Sequence, residues 1–162
     1  MINGYIREAT VDDIDLMQHI KTVGALQAYG RKHDQTDIQR WLSENATRAY
    51  FEDRITRDGY RFIILEQHGY ALAMASVEIV GDVSNFGNLY CLVQNLGIGS
   101  SLMMYREQIA MENGCTKAEA YTWPSNTPAI GFLIRHGFDP VGSMTDPVVG
   151  HRILKFEKEL IY

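Results

Sequence analysis

Two glycines, Gly97 and Gly99, interrupt an apolar run and immediately precede a helical pattern. The stretch reads NLYCLVQNLGIGSSLMMYREQIAMENG from Asn88 to Gly114. Glycine is poor in helices and is used where a ligand or another backbone approaches closely. Amides of a first helical turn have no partner within the helix, so they can bind an anion. The pattern favours an anion-binding loop, although close packing of the helix on the strand would also explain the glycines.

Two known phosphate-binding patterns do not fit this loop. A dinucleotide fingerprint requires a third glycine three positions after the second, where this chain has Leu102. A P-loop requires Gly-Lys-Ser/Thr, which does not follow either glycine. The remaining pattern is Gln94-x-x-Gly97-x-Gly99, between a strand and a helix, and a dinucleotide-dependent redox domain is a weaker alternative.

Hydrophobic periodicity supplies the elements that must hold this loop. Helices are predicted to start near Thr10, Thr36, Thr47, the glycine loop and Asn126 or Thr127, and Gly59, Gly114 and Gly137 are predicted to end three of them. Strands are predicted over 4–10, 61–66, 71–80, 86–93, 117–123, 138–142 and 151–160. This order predicts one α/β domain over residues 1–162, with a mixed sheet of about seven strands and helices on both faces.

Composition narrows the class of partner. Apolar residues make up 46% of the 162 residues, charged residues make up 22%, and the net charge is −5. This balance argues against nucleic acid and slightly favours a cationic substrate. Cys91 and Cys115 are the only cysteines and have no metal-like spacing, so we expect reduced thiols, no metal and a cytoplasmic location. We expect no membrane association, because no apolar run approaches about 18 residues.

The sequence resembles the GCN5-related N-acetyltransferases, the GNAT superfamily, at two separate motifs. The first is the Gln-x-x-Gly-x-Gly loop at 94–99, and the second is NTPAIGFLIRHGF from Asn126 to Phe138. Weaker similarity in the hairpin from residue 61 and in the last strand extends the resemblance over residues 61–160. The resemblance implies the GNAT fold and acetyl-CoA as cosubstrate. The residues it implies for cofactor binding are Leu92, Val93, Gln94, Asn95, Leu96, Gly97, Ile98, Gly99, Ser100 and Asn126.

The resemblance also implies a chemistry whose usual proton donor is missing. Acetyl transfer to an amine requires loss of a proton from the amine, stabilisation of the thioester oxygen and, usually, protonation of the departing thiolate. The family's tyrosine acid is replaced by Leu133, and its frequent carboxylate on the fourth strand is absent from FGNLY. We therefore consider Tyr121, Glu78 and Glu119 as catalytic substitutes, although strand tyrosines are more often core and strand glutamates are more often solvated.

These observations predict an acetyl-CoA-dependent N-acetyltransferase. The amine of a small molecule or peptide attacks the thioester directly, since no basic partner for Cys91 is apparent. The family's acceptor pocket would correspond to Tyr29, Trp41, Tyr50, Phe51 and the loop at 142–151, with Trp41 and Phe51 more typical of the core. The alternative is a catalytically silent acyl-CoA-binding regulatory module of the same fold. The sequence leaves the oligomeric state open, with a homodimer as one arrangement.

Overall fold

Strands and helices follow one another in the order that the hydrophobic periods predict. The computed structural model describes residues 4–94 and 97–161. Within these ranges the strands are β1 (Tyr5–Glu8), β2 (Tyr60–Gln67), β3 (Tyr70–Val80), β4 (Val83–Cys91), β5 (Lys117–Thr122), β6 (Asp139–Thr145) and β7 (Arg152–Glu159). The helices are α1 (Ile14–Tyr29), α2 (Gln35–Asn45), α3 (Arg48–Ile55), α4 (Ile98–Glu112) and α5 (Thr127–Arg135).

The seven strands form one mixed sheet in the order β1-β2-β3-β4-β5-β7-β6. β4 and β5 pair in parallel, and the other neighbouring strands of the described chain pair antiparallel. A parallel pair needs a crossover between its strands, and here α4 provides it. The parallel pair lies at the centre of the sheet, directly beside the glycine loop.

Both faces of the sheet are covered near β2 and β3. Phe62 and Ile64 pack with α1 and α3, while Ile63 and Leu65 point the other way and pack with α4. All four side chains are buried, and burying such a side chain contributes about 1.5–3 kcal/mol. This alternation fixes the register of β2, since a shift of one residue would exchange the two faces.

Local capping explains where the helices begin. The predicted capping box is present, with the Thr10 amide 2.8 Å from an Asp13 carboxylate oxygen, and a 3₁₀ turn over Val11–Asp13 leads into α1. α2 begins one residue earlier than predicted, because Asp34 caps it by accepting from the Thr36 amide at 2.8 Å. A carboxylate ahead of the first turn satisfies one of the unpaired amides.

Candidate functional site

The sheet opens between β4 and β5. The two strands pair only from Val83 to Phe86 on β4 and from Lys117 to Ala120 on β5. β5 continues to pair with β7 as far as Thr122, whereas β4 continues with β3. The strands therefore diverge after Phe86, and a cleft of about 760 Å³ lies where they separate.

A bulge on β4 marks the point of divergence. Ser76 on β3 is opposite Gly87, but Met74 is opposite Tyr90, so β4 carries one extra residue there. Asn88 lies in this bulge with φ of 51°, in the left-handed region. Such a bulge bends a strand and increases its twist. Here it turns the end of β4 away from β5.

A buried arginine supports the bulge from α4. Arg106 is 2% exposed, and its Nη1 donates to the carbonyl oxygens of Ser76 at 3.3 Å and Gly87 at 3.2 Å. Its guanidinium carbon lies 4.8 Å from the centre of the Phe86 ring. Burial lowers the pKa of Arg106 to about 10, which still leaves it charged at neutral pH. The charge is thus committed to backbone carbonyls at the bulge.

The Asn88 amide joins three hydroxyl groups on the opposite side of the bulge. Its Nδ2 lies 3.1 Å from the Tyr50 oxygen, 3.2 Å from the Tyr60 oxygen and 3.1 Å from the Ser76 oxygen. An amide nitrogen has two hydrogens, so the three hydroxyls share two donors. Burial is the main cause that raises the pKa of Tyr60 above its ordinary value. The network ties α3 to β2, β3 and β4.

The N-terminus of α4 faces the cleft. Gly97 precedes the helix with φ of 74° and makes no side-chain cap. The first intrahelical bond there joins the Ser101 amide to the Gly97 carbonyl at 3.1 Å. The amides of Ile98, Gly99 and Ser100 consequently precede the hydrogen-bonded part of the helix. Within residues 4–94 and 97–161 no other group accepts from them, so they can bind an anion. Arg135, from the last turn of α5, lines the same cleft.

Gly99 is the point where α4 approaches α5. A Cβ atom built on Gly99 would lie 3.1 Å from Cε2 and 3.3 Å from Cζ of Phe132. The next residue, Ser100, has its hydroxyl 3.1 Å from Nε2 of His136, whose Nδ1 lies 2.9 Å from the Phe132 carbonyl. A carbonyl only accepts, so Nδ1 carries a hydrogen. Close packing of α4 on α5 is therefore enough to explain Gly99, with no ligand needed.

The residues named for cofactor binding come together in this cleft. Asn95 and Leu96 lie outside the described residues. The other eight, which line the cleft, are Leu92, Val93, Gln94, Gly97, Ile98, Gly99, Ser100 and Asn126. They come from the end of β4, the start of α4 and the residue before α5, so three separate segments converge on one space.

Asn126 serves as the cap of α5. Its Oδ1 accepts from the Ala129 amide at 3.3 Å, and its Nδ2 donates to the Tyr29 hydroxyl at 3.0 Å. The second hydrogen of Nδ2 and the second lone pair of Oδ1 are still available to a ligand. The cap role and a contact to a ligand are therefore compatible.

The catalytic substitutes considered from the sequence lie elsewhere on the sheet. Tyr121 and Glu119 do share a face of β5, and the Tyr121 hydroxyl donates to Glu119 at 3.4 Å. Glu119 is also paired with Lys155 at 3.3 Å, and Glu78 contacts Arg57 at 3.4 Å. None of these three candidates is among the described residues that line the cleft. The two carboxylates are thus in ion pairs with Arg57 and Lys155, which do not belong to the cleft lining either.

Two further positions bear on the chemistry. Leu133 is buried in the core between α4, α5 and the sheet, so nothing at that position can donate a proton. Cys91 lines the cleft, but burial raises the pKa of its thiol to about 11. A thiol rather than a thiolate is present at neutral pH, which disfavours a covalent route through this cysteine.

The aromatic residues assigned to an acceptor pocket separate into two groups. Phe51 is fully buried beneath α1, and Tyr50 joins the Asn88 network. Tyr29 and Trp41 instead contact Trp123. The ring centre of Trp123 lies 4.8 Å from that of Tyr29 and 5.8 Å from that of Trp41. This second group connects the end of α1 and α2 to the end of β5, beside Asn126.

Sequence reasoning missed a buried lysine. Lys21, on α1, is 1% exposed, and its Nζ lies 3.9 Å from the Tyr50 ring centre and 5.3 Å from that of Trp41. Burial, with a smaller contribution from Arg54, lowers its pKa well below the ordinary value. Lysines are rarely buried without a partner, and the helical pattern alone does not indicate that Lys21 is buried.

Comparison with known proteins identifies the family of this chain. The family model described as "Acetyltransferase (GNAT) family" matches residues 26–138. The chain therefore belongs to the GNAT acetyltransferase family, whose members are acyl-CoA-dependent N-acetyltransferases. A search of curated proteins found no significant match.

Solved structures share the whole fold at low identity. PaiA N-acetyltransferase from Thermoplasma acidophilum, in complex with coenzyme A, is similar at 17% identity and a TM-score of 0.86, covering 98% of this chain and 99% of its own. The ribosomal-protein-S18-alanine N-acetyltransferase from Escherichia coli is similar at 16% identity and a TM-score of 0.75, covering 98% of this chain and 95% of its own. Ard1 from Thermoplasma volcanium is similar at 16% identity and a TM-score of 0.76, covering 99% of this chain and 100% of its own.

Two searches of the described residues gave negative results. No group of three or more histidine, cysteine or acidic side chains within 4–94 and 97–161 is arranged to hold a metal ion. No helix in the same ranges is long and apolar enough to cross a bilayer.

Proposed function

We propose that the protein transfers an acetyl group from acetyl-CoA to an amine of a small molecule or peptide. The observation that carries the proposal is the cleft itself, where the open edge of β4 meets the uncapped N-terminus of α4. The diphosphate of coenzyme A suits the amides of Ile98, Gly99 and Ser100, assisted by the Arg135 cation. Its pantetheine amides suit the part of β4 that has no β5 partner.

The residues present fit this cofactor. Gly97 has φ of 74°, and apart from its chain neighbours no atom of the described residues lies within 4 Å of a Cβ built there, so those residues leave the backbone open on that side. Bound acetyl-CoA would supply an activated thioester. The chain would orient it, with Leu92 and Val93 beside the carbonyl and Asn126 beside the pantetheine arm.

The amine attacks the thioester directly in this proposal. The high pKa of Cys91 argues against an acyl-enzyme on that residue. The similar ribosomal-protein-S18-alanine N-acetyltransferase favours a peptide or protein amine as one acceptor class, beside small amines. We place the reaction in the cytoplasm, because a chain with only two cysteines suits a reducing compartment.

The test separates binding from turnover. Acetyl-CoA should raise the melting temperature, and an amine panel of polyamines, amino acids and peptides should release free coenzyme A thiol with at least one acceptor. Stabilisation by acetyl-CoA without thiol release for any amine would favour the silent acyl-CoA-binding module. Absence of both effects would refute the proposed function.

A further inference from the structure

The core position of Leu133 leaves the proposed reaction without a proton donor for the departing thiolate. We propose that the hydroxyl of Tyr29, at the end of α1, is that donor. This inference rests on the acetyl transfer proposed above, and it assigns a catalytic role to a residue considered from the sequence only as part of an acceptor pocket.

Tyr29 lies beside the cleft, next to residues that line it. The two residues before it on α1, Gln27 and Ala28, line the cleft, and so does its hydrogen-bond partner Asn126. On the other side Tyr29 packs on the same cluster as Tyr90, which is on β4 and lines the cleft. The Tyr29 hydroxyl is therefore 3.0 Å from a side chain of the cleft lining, at the start of α5.

The hydrogen bonds determine where the Tyr29 proton points. Asn126 Oδ1 accepts from the Ala129 amide, which fixes the orientation of the side-chain amide and directs Nδ2 to Tyr29. The Tyr29 oxygen is therefore an acceptor in this contact, and its own hydrogen is not used in it. Within the described residues no hydrogen bond donated by the Tyr29 hydroxyl is present.

The other tyrosines near the cleft are less suited to donate a proton to the thiolate. The Tyr121 hydroxyl donates to Glu119, away from the cleft lining. Tyr90 lines the cleft, but its ring packs directly against Gly24 of α1, and burial raises the pKa of its hydroxyl well above the ordinary value. Tyr29 combines a hydroxyl held by a residue of the cleft lining with a proton that no described residue accepts.

The ring of Tyr29 is held in place by its neighbours. Its centre lies 4.8 Å from that of Trp123 and 5.8 Å from that of His33. The Nε2 atom of His33 is in turn 2.6 Å from the Ser125 hydroxyl. A fixed donor is what general acid catalysis requires, since proton transfer depends on hydrogen-bond geometry. Phenylalanine would keep these ring contacts and lose only the hydroxyl.

The proposed step balances. The amine nitrogen bonds to the thioester carbonyl carbon, and the resulting adduct collapses by breaking the carbon–sulfur bond. The sulfur takes the Tyr29 proton and leaves as the free thiol. The Asn126 N–H still donates to the tyrosine oxygen while that oxygen is negative. The nitrogen releases one proton to solvent, and solvent returns one to Tyr29.

The test compares Tyr29→Phe with wild type, using the best acceptor from the amine panel. We expect kcat to fall by roughly 10²-fold or more, the range for loss of a general acid. The KM for acetyl-CoA and its Kd by calorimetry should change less than threefold, since the hydroxyl acts on the leaving group. The matched control is Tyr70→Phe, which removes a hydroxyl from a tyrosine that is 74% exposed and should leave kcat unchanged.

Each outcome has a separate meaning. A Tyr29→Phe enzyme with kcat within threefold of wild type would overturn the role of Tyr29 and leave the proposed function intact. Weaker acetyl-CoA binding with unchanged kcat would overturn it too, and would assign Tyr29 to cofactor positioning. Failure of the wild-type protein to bind acetyl-CoA or release thiol would instead refute the function on which the inference rests.

Discussion

Replacing Gly99 by glutamate tests whether an anion binds at the N-terminus of α4. The new Cβ would lie 3.1 Å from Phe132, so the ring must shift by a few tenths of an ångström. The carboxylate would then occupy the space before the unpaired amides. An acidic side chain in a first helical turn is favourable by about 0.3–1 kcal/mol, so we expect Gly99→Glu to fold.

The expected loss of affinity follows from charge. A carboxylate about 4 Å from one charge of the coenzyme A diphosphate repels it by about 4 kcal/mol at an effective dielectric constant of about 20. That energy corresponds to a Kd raised by about 10³-fold. Wild-type protein at a coenzyme A concentration of 100 times Kd should gain about 2.7 kcal/mol of stability. For a chain of this length, the melting temperature should rise by roughly 5–10 °C.

Calorimetry with coenzyme A and thermal unfolding with and without it measure both quantities. Gly99→Gln has the same shape without the charge and therefore isolates the steric share. Met104→Glu adds the same charge to the same helix at a position that is 69% exposed, and it should bind like wild type. Circular dichroism checks folding. If folded Gly99→Glu bound coenzyme A within threefold of wild type, the diphosphate would not lie at these amides.

Two predictions concern stability. Asn88→Ala should lower the free energy of unfolding in urea by about 2–4 kcal/mol, because three hydroxyls lose a shared donor and alanine is strained at φ of 51°. Asn88→Gly should be milder, and an unchanged midpoint in both variants would contradict the network. Lys21→Met should stabilise the protein at neutral pH, since the depressed pKa means that wild-type stability rises with pH from the folded-state pKa up to the ordinary 10.5. The advantage over wild type should shrink from pH 7 to pH 9.5 in urea unfolding, and a constant advantage would contradict a buried amine that titrates low.

Local signals predicted most of the fold. The Thr10–Asp13 box, the Asn126 cap and the glycine stops at 114 and 137 act within one helical turn, so their residue types suffice to place them. The glycine loop was predicted for the same reason. The separation of β4 from β5 has no such local signal, because periodicity indicates where strands lie and not where two strands stop pairing.

The parts of the site that sequence missed depend on contacts between distant residues. Tyr29 and Asn126 are 97 positions apart, and neither has a local pattern that indicates the other. Arg106 and Lys21 are charged residues on helices, and periodicity assigns such residues to the solvent face. Burial of Arg106 is explained only by the carbonyls of the bulge, which form after β3 and β4 have paired.

These distant contacts make the cleft a property of the folded chain before any ligand binds. Gly87 is the first residue of β4 beyond its pairing with β5, and the Gly87 carbonyl accepts a hydrogen bond from Arg106. Asn88 holds the bulge from the other face through Tyr50 and Tyr60. Closing the cleft would require these bonds to break and would leave a guanidinium buried without acceptors, which is costly. A binding site held open in this way does not spend ligand binding energy on ordering the protein.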